Sequence, residues 1–145
     1  MQAVSDGTRW MLRLSTDEEL LESLGALATA KGIRAAAVPM GIGQLKAARI
    51  GYWNGSEYEA REITEPVELV SLQGSIAEAD GRPSVHVHAA LGTRSHATLS
   101  GRLMRGTVGP LAEVLVAPFP TRAFGRPVDE STGLRLLDLE PPAAP

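Results

Sequence analysis

Thr8–Ser15 alternates, with Trp10, Leu12 and Leu14 on one side and Arg9, Met11 and Arg13 on the other. A period of two predicts a strand with one buried face. Ser15 and Thr16 then precede Asp17, Glu18 and Glu19, an N-cap region with acids in the first helical turn. Leu20, Leu21, Leu24, Leu27 and Ala28 follow at helical spacing, and Gly32 stands where a left-handed C-cap belongs. A helix with a core-facing apolar stripe is expected here. Ile33–Met40 is small and apolar and predicts a buried strand, with Pro39 placing it at an edge or a strand end. Gly41-Ile42-Gly43 predicts a backbone bend that breaks that strand. It is not a nucleotide-binding fingerprint, because Lys46 stands where the third glycine is required and no helix pattern follows.

Leu45–Trp53 and Glu57–Ile63 flank Asn54-Gly55-Ser56, a hairpin signal. Val67–Ala77 alternates in part, Asp80-Gly81-Arg82-Pro83 reads as a turn, and Ser84–Leu91 and Ala97–Met104 read as strands linked across Gly92–His96. Leu111–Val116 and Leu134–Leu139 are two further apolar strands, separated by a proline-bearing loop over Pro118–Gly133. One strong helix among many short strands predicts an α+β fold, a largely antiparallel sheet with the helix packed on it. There is no internal repeat and no linker. The expected layout is an N-terminal tail over 1–7, one domain over 8–139, and a Pro/Ala-rich tail over 140–145 that should be extended or disordered.

The composition of the 145 residues is that of an ordinary soluble domain, 43% hydrophobic and 21% charged. No apolar run reaches the ~18 residues that span a bilayer, and MQAVSDGTRW lacks an apolar signal-peptide core. The chain has no cysteine, which excludes disulfide scaffolds, thiol catalysis and thiolate metal sites. A cytoplasmic location is expected. A net charge of -3 does not suit a protein that coats a phosphate backbone. The cations are nonetheless lopsided: twelve arginines against only Lys31 and Lys46, and between Gly92 and Arg126 five arginines against Glu113 alone. Those five either sit on solvated strand faces and subunit contacts or form a local anion-binding patch.

The three histidines fall within eleven residues, at His86, His88 and His96. Spaced i and i+2, His86 and His88 share one strand face with Cα atoms ~6–7 Å apart, a spacing at which both imidazoles can meet one zinc ion. Equally, the two can be hydrogen-bonded histidines at a strand surface. A zinc site needs a further protein ligand, and His96 lies in the following turn. Glu113 and Glu68 are candidate general bases or partners for the histidines, or ordinary strand-end glutamates. No serine among Ser71, Ser75, Ser84, Ser95 and Ser100 stands in a nucleophile elbow.

Glu68–Ala77 (ELVSLQGSIA), a turn, and His86–Gly92 (HVHAALG) together resemble the plant- and prokaryote-conserved (PPC) domain. The strand Trp10–Leu14, Leu111-Ala112-Glu113-Val114 and Thr132-Gly133-Leu134 agree with that family, so the resemblance runs from about Thr8 to Leu139. It implies an α+β domain that assembles into a homotrimer. In plants such domains sit beside AT-hook motifs in nuclear proteins, and bacterial single-domain members carry a DNA-binding or regulatory label. Some prokaryotic members hold zinc through the His-x-His pair and the histidine of a Gly-Gly-His motif, and the fold resembles that of acetolactate decarboxylase, a zinc enzyme. Position by position, His86 and His88 match the first two ligands, while Ser100-Gly101-Arg102-Leu103 puts Arg102 at the third. A guanidinium cannot ligate zinc and repels a cation. Either His96 completes the metal set, or the metal is lost and Arg102 turns the pocket toward anions.

The AT-hook core, Arg-Gly-Arg-Pro, is met only in part by Asp80–Pro83 and Gly125-Arg126-Pro127, both read as turns. Any DNA contact would therefore come from the domain itself and be weak. Two functions stand side by side: a trimeric DNA-binding or regulatory module, and a small-molecule enzyme or ligand-binding protein built on His86, His88, Arg102 and Glu113, with or without zinc. A trimeric interaction protein with no chemistry is a third.

Overall fold

A computed structural model describes residues 1–140. Seven strands and one helix follow in the order β1 (Gln2–Ser5), β2 (Trp10–Ser15), α1 (Leu20–Lys31), β3 (Ala36–Trp53), β4 (Tyr58–Ile63), β5 (Val67–Ala79), β6 (Arg82–Gly92) and β7 (Thr98–Pro118). The strands pair antiparallel in one sheet, β1-β2-β7-β6-β5-β3-β4, and an additional β7–β3 pairing closes β3, β5, β6 and β7 into a ring. Closure covers most of the edges of those four strands, leaving β1 and β4 as the outer strands of the sheet. Gln2–Ser5, within the stretch expected as a tail, pair with β2 from Gln2↔Arg13 to Ser5↔Trp10. Apart from Glu140, the expected C-terminal tail lies outside the described residues. Among the described residues no helix is long and apolar enough to cross a membrane.

The two longest strands make the ring. β3 pairs along one side with β5 and then β4, and along the other with β7. β7 pairs with β6 near its start and with β2 near its end. Two expected short strands, Ala97–Met104 and Leu111–Val116, are thus halves of one strand. Gly41-Ile42-Gly43 bends β3 without ending it, between register shifts at Ala37/Met40 and Gly43/Leu45. Pro39 falls inside the first shift, where the missing N–H costs no ladder bond. Gly43, at φ 146, lets β7 pass close by: a Cβ there would lie 2.4 Å from the Leu111 carbonyl oxygen.

Inside lie Leu45, Leu69, Leu72, Ile76, Val87, Leu91, Leu103, Val108 and Val114, all at most 2% exposed. The helix packs its buried Leu20, Leu24, Leu27 and Ala28 against β6 and β7. Each such leucine contributes ~1.5–3 kcal/mol by leaving water. Gly32 caps the helix at φ 61, as the sequence predicts. The N-cap is Glu19, not Ser15 or Thr16. Asp17 takes a left-handed turn (φ 73) whose N–H donates to the Val108 carbonyl, so the chain reaches β7 before the helix starts. Glu19 then accepts from the Glu22 and Gly106 N–H groups, each at 2.7 Å, tying the helix start to β7.

Leu134–Leu139, expected as a strand, makes only isolated bridges: Val128↔Arg135 and Gly125↔Asp138. With the ring closed, the segment after β7 crosses the outside as a strap. It joins the one stretch of β5 that extends beyond the start of β3. There the Glu78 N–H donates to the Phe124 carbonyl and the Arg126 N–H to the Glu78 carbonyl, both at 2.8 Å. This pairing aims Arg126 back at the face that carries the histidines.

Candidate functional site

His86 and His88 share the outer face of β6, with ring centroids 5.4 Å apart. Across the ladders, His86 faces Ser75 of β5, while His88 faces Gln73 of β5 and Arg102 of β7. Arg102 lies opposite Gly51 of β3, and its guanidinium carbon sits 4.9 Å above the Tyr58 ring of β4. Tyr58 in turn meets Trp53 across the hairpin, at 5.2 Å between centroids. Asn54-Gly55-Ser56 makes the hairpin expected, and so delivers both aromatic rings to the site.

The strap supplies the other wall. Arg126 is only 6% exposed; its Nη2 donates to Ser75 Oγ at 2.6 Å, and its Nε is buried with no partner. Arg135 donates to the Arg126 carbonyl at 3.0 Å and pairs with Asp80 at 2.6 Å, which holds the strap in place. His86, Arg102, Arg126, Trp53, Tyr58 and Leu134 line a cavity of about 450 Å³. His88, which is more exposed, lies on the same face beside the cavity rather than in its wall.

The electrostatics are one-sided. Burial, then Arg102, Arg126 and His88, push the His86 imidazole down to about 4, so it is neutral at pH 7. His88 is lowered in the same direction by partial desolvation and by Arg102. Arg126 is lowered chiefly by burial and then by Arg102. Among the described residues, neither Arg102 nor Arg126 has a carboxylate within 4.0 Å.

The remaining expected site residues lie elsewhere. His96, at φ 63 in the Thr93–Ala97 turn, lines a separate cleft with Glu65, Glu68 and Arg94. Glu68 accepts from Gln44 Nε2 at 3.1 Å. Glu113 faces Arg13 of β2 and lines a cleft with β1. Neither glutamate lines the histidine cavity. Nor do the arginines of Gly92–Arg126 form one patch: Arg105 pairs with Glu62 at 3.0 Å, Arg122 borders an apolar groove with Phe119 and Phe124, and Arg94 lies near His96. Arg126 joins the site although Gly125-Arg126-Pro127 reads in the sequence as a turn. Its only signal was the arginine excess in an acid-poor stretch.

Zinc does not fit this donor set. Two imidazoles stand beside a permanent cation, and among the described residues no group of three His, Asp or Glu side chains could hold a metal ion. Arg102 and Arg126, which line the cavity without a carboxylate partner among the described residues, call for an acceptor.

The profile of the Plants and Prokaryotes Conserved (PCC) domain matches residues 1–120. The chain belongs to this family. Its α+β ring closely follows that of a PPC protein from Pyrococcus horikoshii, at 29% identity and TM-score 0.85 over 97% of this chain and 95% of that one. A metal-containing protein from Archaeoglobus fulgidus is 35% identical, with TM-score 0.83 over 90% and 92%. A Ralstonia eutropha protein described as a candidate DNA-binding protein is 26% identical, with TM-score 0.87 over 95% and 96%. A curated relative, the bifunctional protein GlmU of Synechococcus, is 30% identical over 135 residues; the match takes in 91% of this chain but spans only a fifth of that protein. The PCC fold expected from the sequence is therefore present, with an arginine-rich pocket on its histidine face.

Proposed function

We propose that this chain is a regulatory binding module that works as a homotrimer and whose working site, the pocket of Arg102, Arg126 and His86, takes a small organic anion. The observation that carries this reading is the convergence of two guanidiniums without a carboxylate partner among the described residues, one of them buried with a free Nε donor. An unpaired buried cation is costly, and a bound carboxylate or phosphate satisfies it through charge-assisted hydrogen bonds. Binding fits better than catalysis, because no carboxylate lines the cavity among the described residues and His86, held near 4, is a weak base at pH 7. Trimer formation draws support from Ile42, Val70 and Leu111, which are 46%, 58% and 41% exposed around one surface cleft.

Calorimetric titration of the chain with inorganic phosphate tests the pocket. Binding that Arg102→Ala abolishes is expected; binding that Arg102→Ala leaves intact overturns the reading. Sedimentation at micromolar concentration tests the assembly, and a monomer rejects it.

DNA binding is the second reading, favoured by the description of the Ralstonia relative. The net charge of -3 and the Arg105–Glu62 pair support only weak, salt-sensitive contact. Arg94→Ala with Arg105→Ala should flatten the salt slope of duplex binding by about one unit per lost phosphate contact. Tight binding at high salt that ignores both changes counts against this account.

A further inference from the structure

The lining of the pocket is both charged and apolar, and that mixture narrows the ligand. The lining holds Arg102 and Arg126, two positive charges with no carboxylate partner among the described residues, a neutral His86, and Arg135, which is paired with Asp80. A single carboxylate would neutralise only one of the two charges without a partner, whereas a phosphate monoester carries ≈ -1.5 to -2 at pH 7 and three acceptor oxygens. The same lining carries the Trp53–Tyr58 pair from the β3–β4 hairpin, with Tyr58 under the Arg102 guanidinium, and Leu134, Leu136 and Leu137 from the strap. Leu136 and Leu137 remain 48% and 41% exposed although they border the cavity. Apolar side chains open on the wall of a charged pocket suit a ligand with an apolar body. The volume, about 450 Å³, is that of a site for an organic ligand, not for a bare ion.

We infer that the pocket selects a phosphate monoester carried on a planar aromatic body, with the phosphate between Arg102 and Arg126 and the ring between the Trp53–Tyr58 pair and the leucines of the strap. This rests on the anion-binding reading above and adds to it both the charge of the head group and the nature of the tail. The guanidinium of Arg102 lies over the Tyr58 ring, 4.9 Å from its centroid, a contact that helps fix its position beside the phosphate. Arg126 reaches the same place only because the strap pairs with Glu78. The head group and the ring are thus recognised by different elements, the strands β6 and β7 with Arg126 for one, and the hairpin with the end of the strap for the other.

The test is calorimetry on the full chain with four probes: inorganic phosphate, ethyl phosphate, phenyl phosphate and benzoate. Phenyl phosphate should bind at least ~10-fold tighter than ethyl phosphate, the gain expected of one stacked ring. It should exceed benzoate by a similar factor through the second charge. Trp53→Leu should cut the phenyl advantage to less than about threefold. The comparison of probes on the unmodified chain decides the matter even if that variant does not fold. Inorganic and ethyl phosphate binding with no gain from phenyl phosphate overturns the ring and leaves the anion site standing. Benzoate as tight as phenyl phosphate overturns the doubly charged head group. Failure of all four probes overturns both this inference and the reading on which it rests.

Discussion

Replacing Arg102 with histidine should convert an anion pocket into a zinc site. Two imidazoles bound to one tetrahedral zinc at ~2.0–2.1 Å place their ring centroids about 5 Å apart. The His86 and His88 rings are already 5.4 Å apart. Position 102 lies directly across the ladder from His88, where facing Cβ atoms are ~4.5–5.5 Å apart, so a third imidazole starts within reach of the same ion. The substitution also removes a fixed cation. At about 6 Å from a divalent ion, that charge costs about 1.4 kcal/mol even at the dielectric constant of water, or about tenfold in affinity. Zinc affinity in Arg102→His should therefore rise by at least ~10-fold, and further by whatever the third nitrogen adds. Competition against a coloured chelator at pH 7.5 measures it, with Arg102→Gln as the control that removes charge without adding a ligand. The order expected is Arg102→His tightest, Arg102→Gln intermediate and the unmodified chain weakest. Equal affinities for His and Gln would mean that the three rings do not converge, and no gain in either variant would refute the charge reasoning as well.

Gly74→Ala should destabilise by about 3 kcal/mol or more in denaturant unfolding, because the new Cβ would lie 2.0 Å from the His86 carbonyl oxygen, an atom of the backbone that cannot swing aside; a loss under about 1 kcal/mol would show that the ladder yields there. Arg126→Met keeps the volume and removes a buried charge with an unpaired Nε, so thermal stability should hold or rise while phosphate binding is lost. A large drop in melting temperature would instead make Arg126 a structural clamp. His86 ionises near 4 in the folded chain against an ordinary 6.5, so the unfolded chain binds more protons between those values. The stability this gives is complete above about pH 6.5 and is lost as pH falls toward 4, and His86→Gln should flatten that acid limb of the melting curve; an unchanged limb would contradict it.

Much of the fold was legible because its signals are local. Leu20, Leu24, Leu27 and Ala28 announce the helix by their spacing, and Gly32 its end, since a helix satisfies its own backbone and needs only a face to bury. Asn54-Gly55-Ser56 announces the hairpin in the same way. Less legible was the start of the helix: Ser15 and Thr16 look like caps, but the contact of Asp17 with Val108, ninety-one positions along the chain, moves the start to Glu19. Leu134–Leu139 carries the apolar content of a strand, yet it lies in the strap that meets only the short free end of β5, and it makes isolated bridges alone.

The alternation of residues by itself determined that His86 and His88 share a face, since a strand's side chains repeat every two positions whatever lies beside it. The residue types determined as much: without cysteine there is no thiolate, and with arginine at position 102 there is a permanent charge. Only the tertiary structure decided what meets that face. It set Arg102 opposite His88, left His96 and Glu113 in other clefts, and brought Arg126 in from a loop thirty-eight positions beyond His88. The physical reason is that a ring closes through pairings between distant segments. Period two encodes the face a residue takes, but which strand becomes the neighbour, and which loop then folds across, depends on the register of β3 against β7 and on the short free stretch of β5 that this closure leaves.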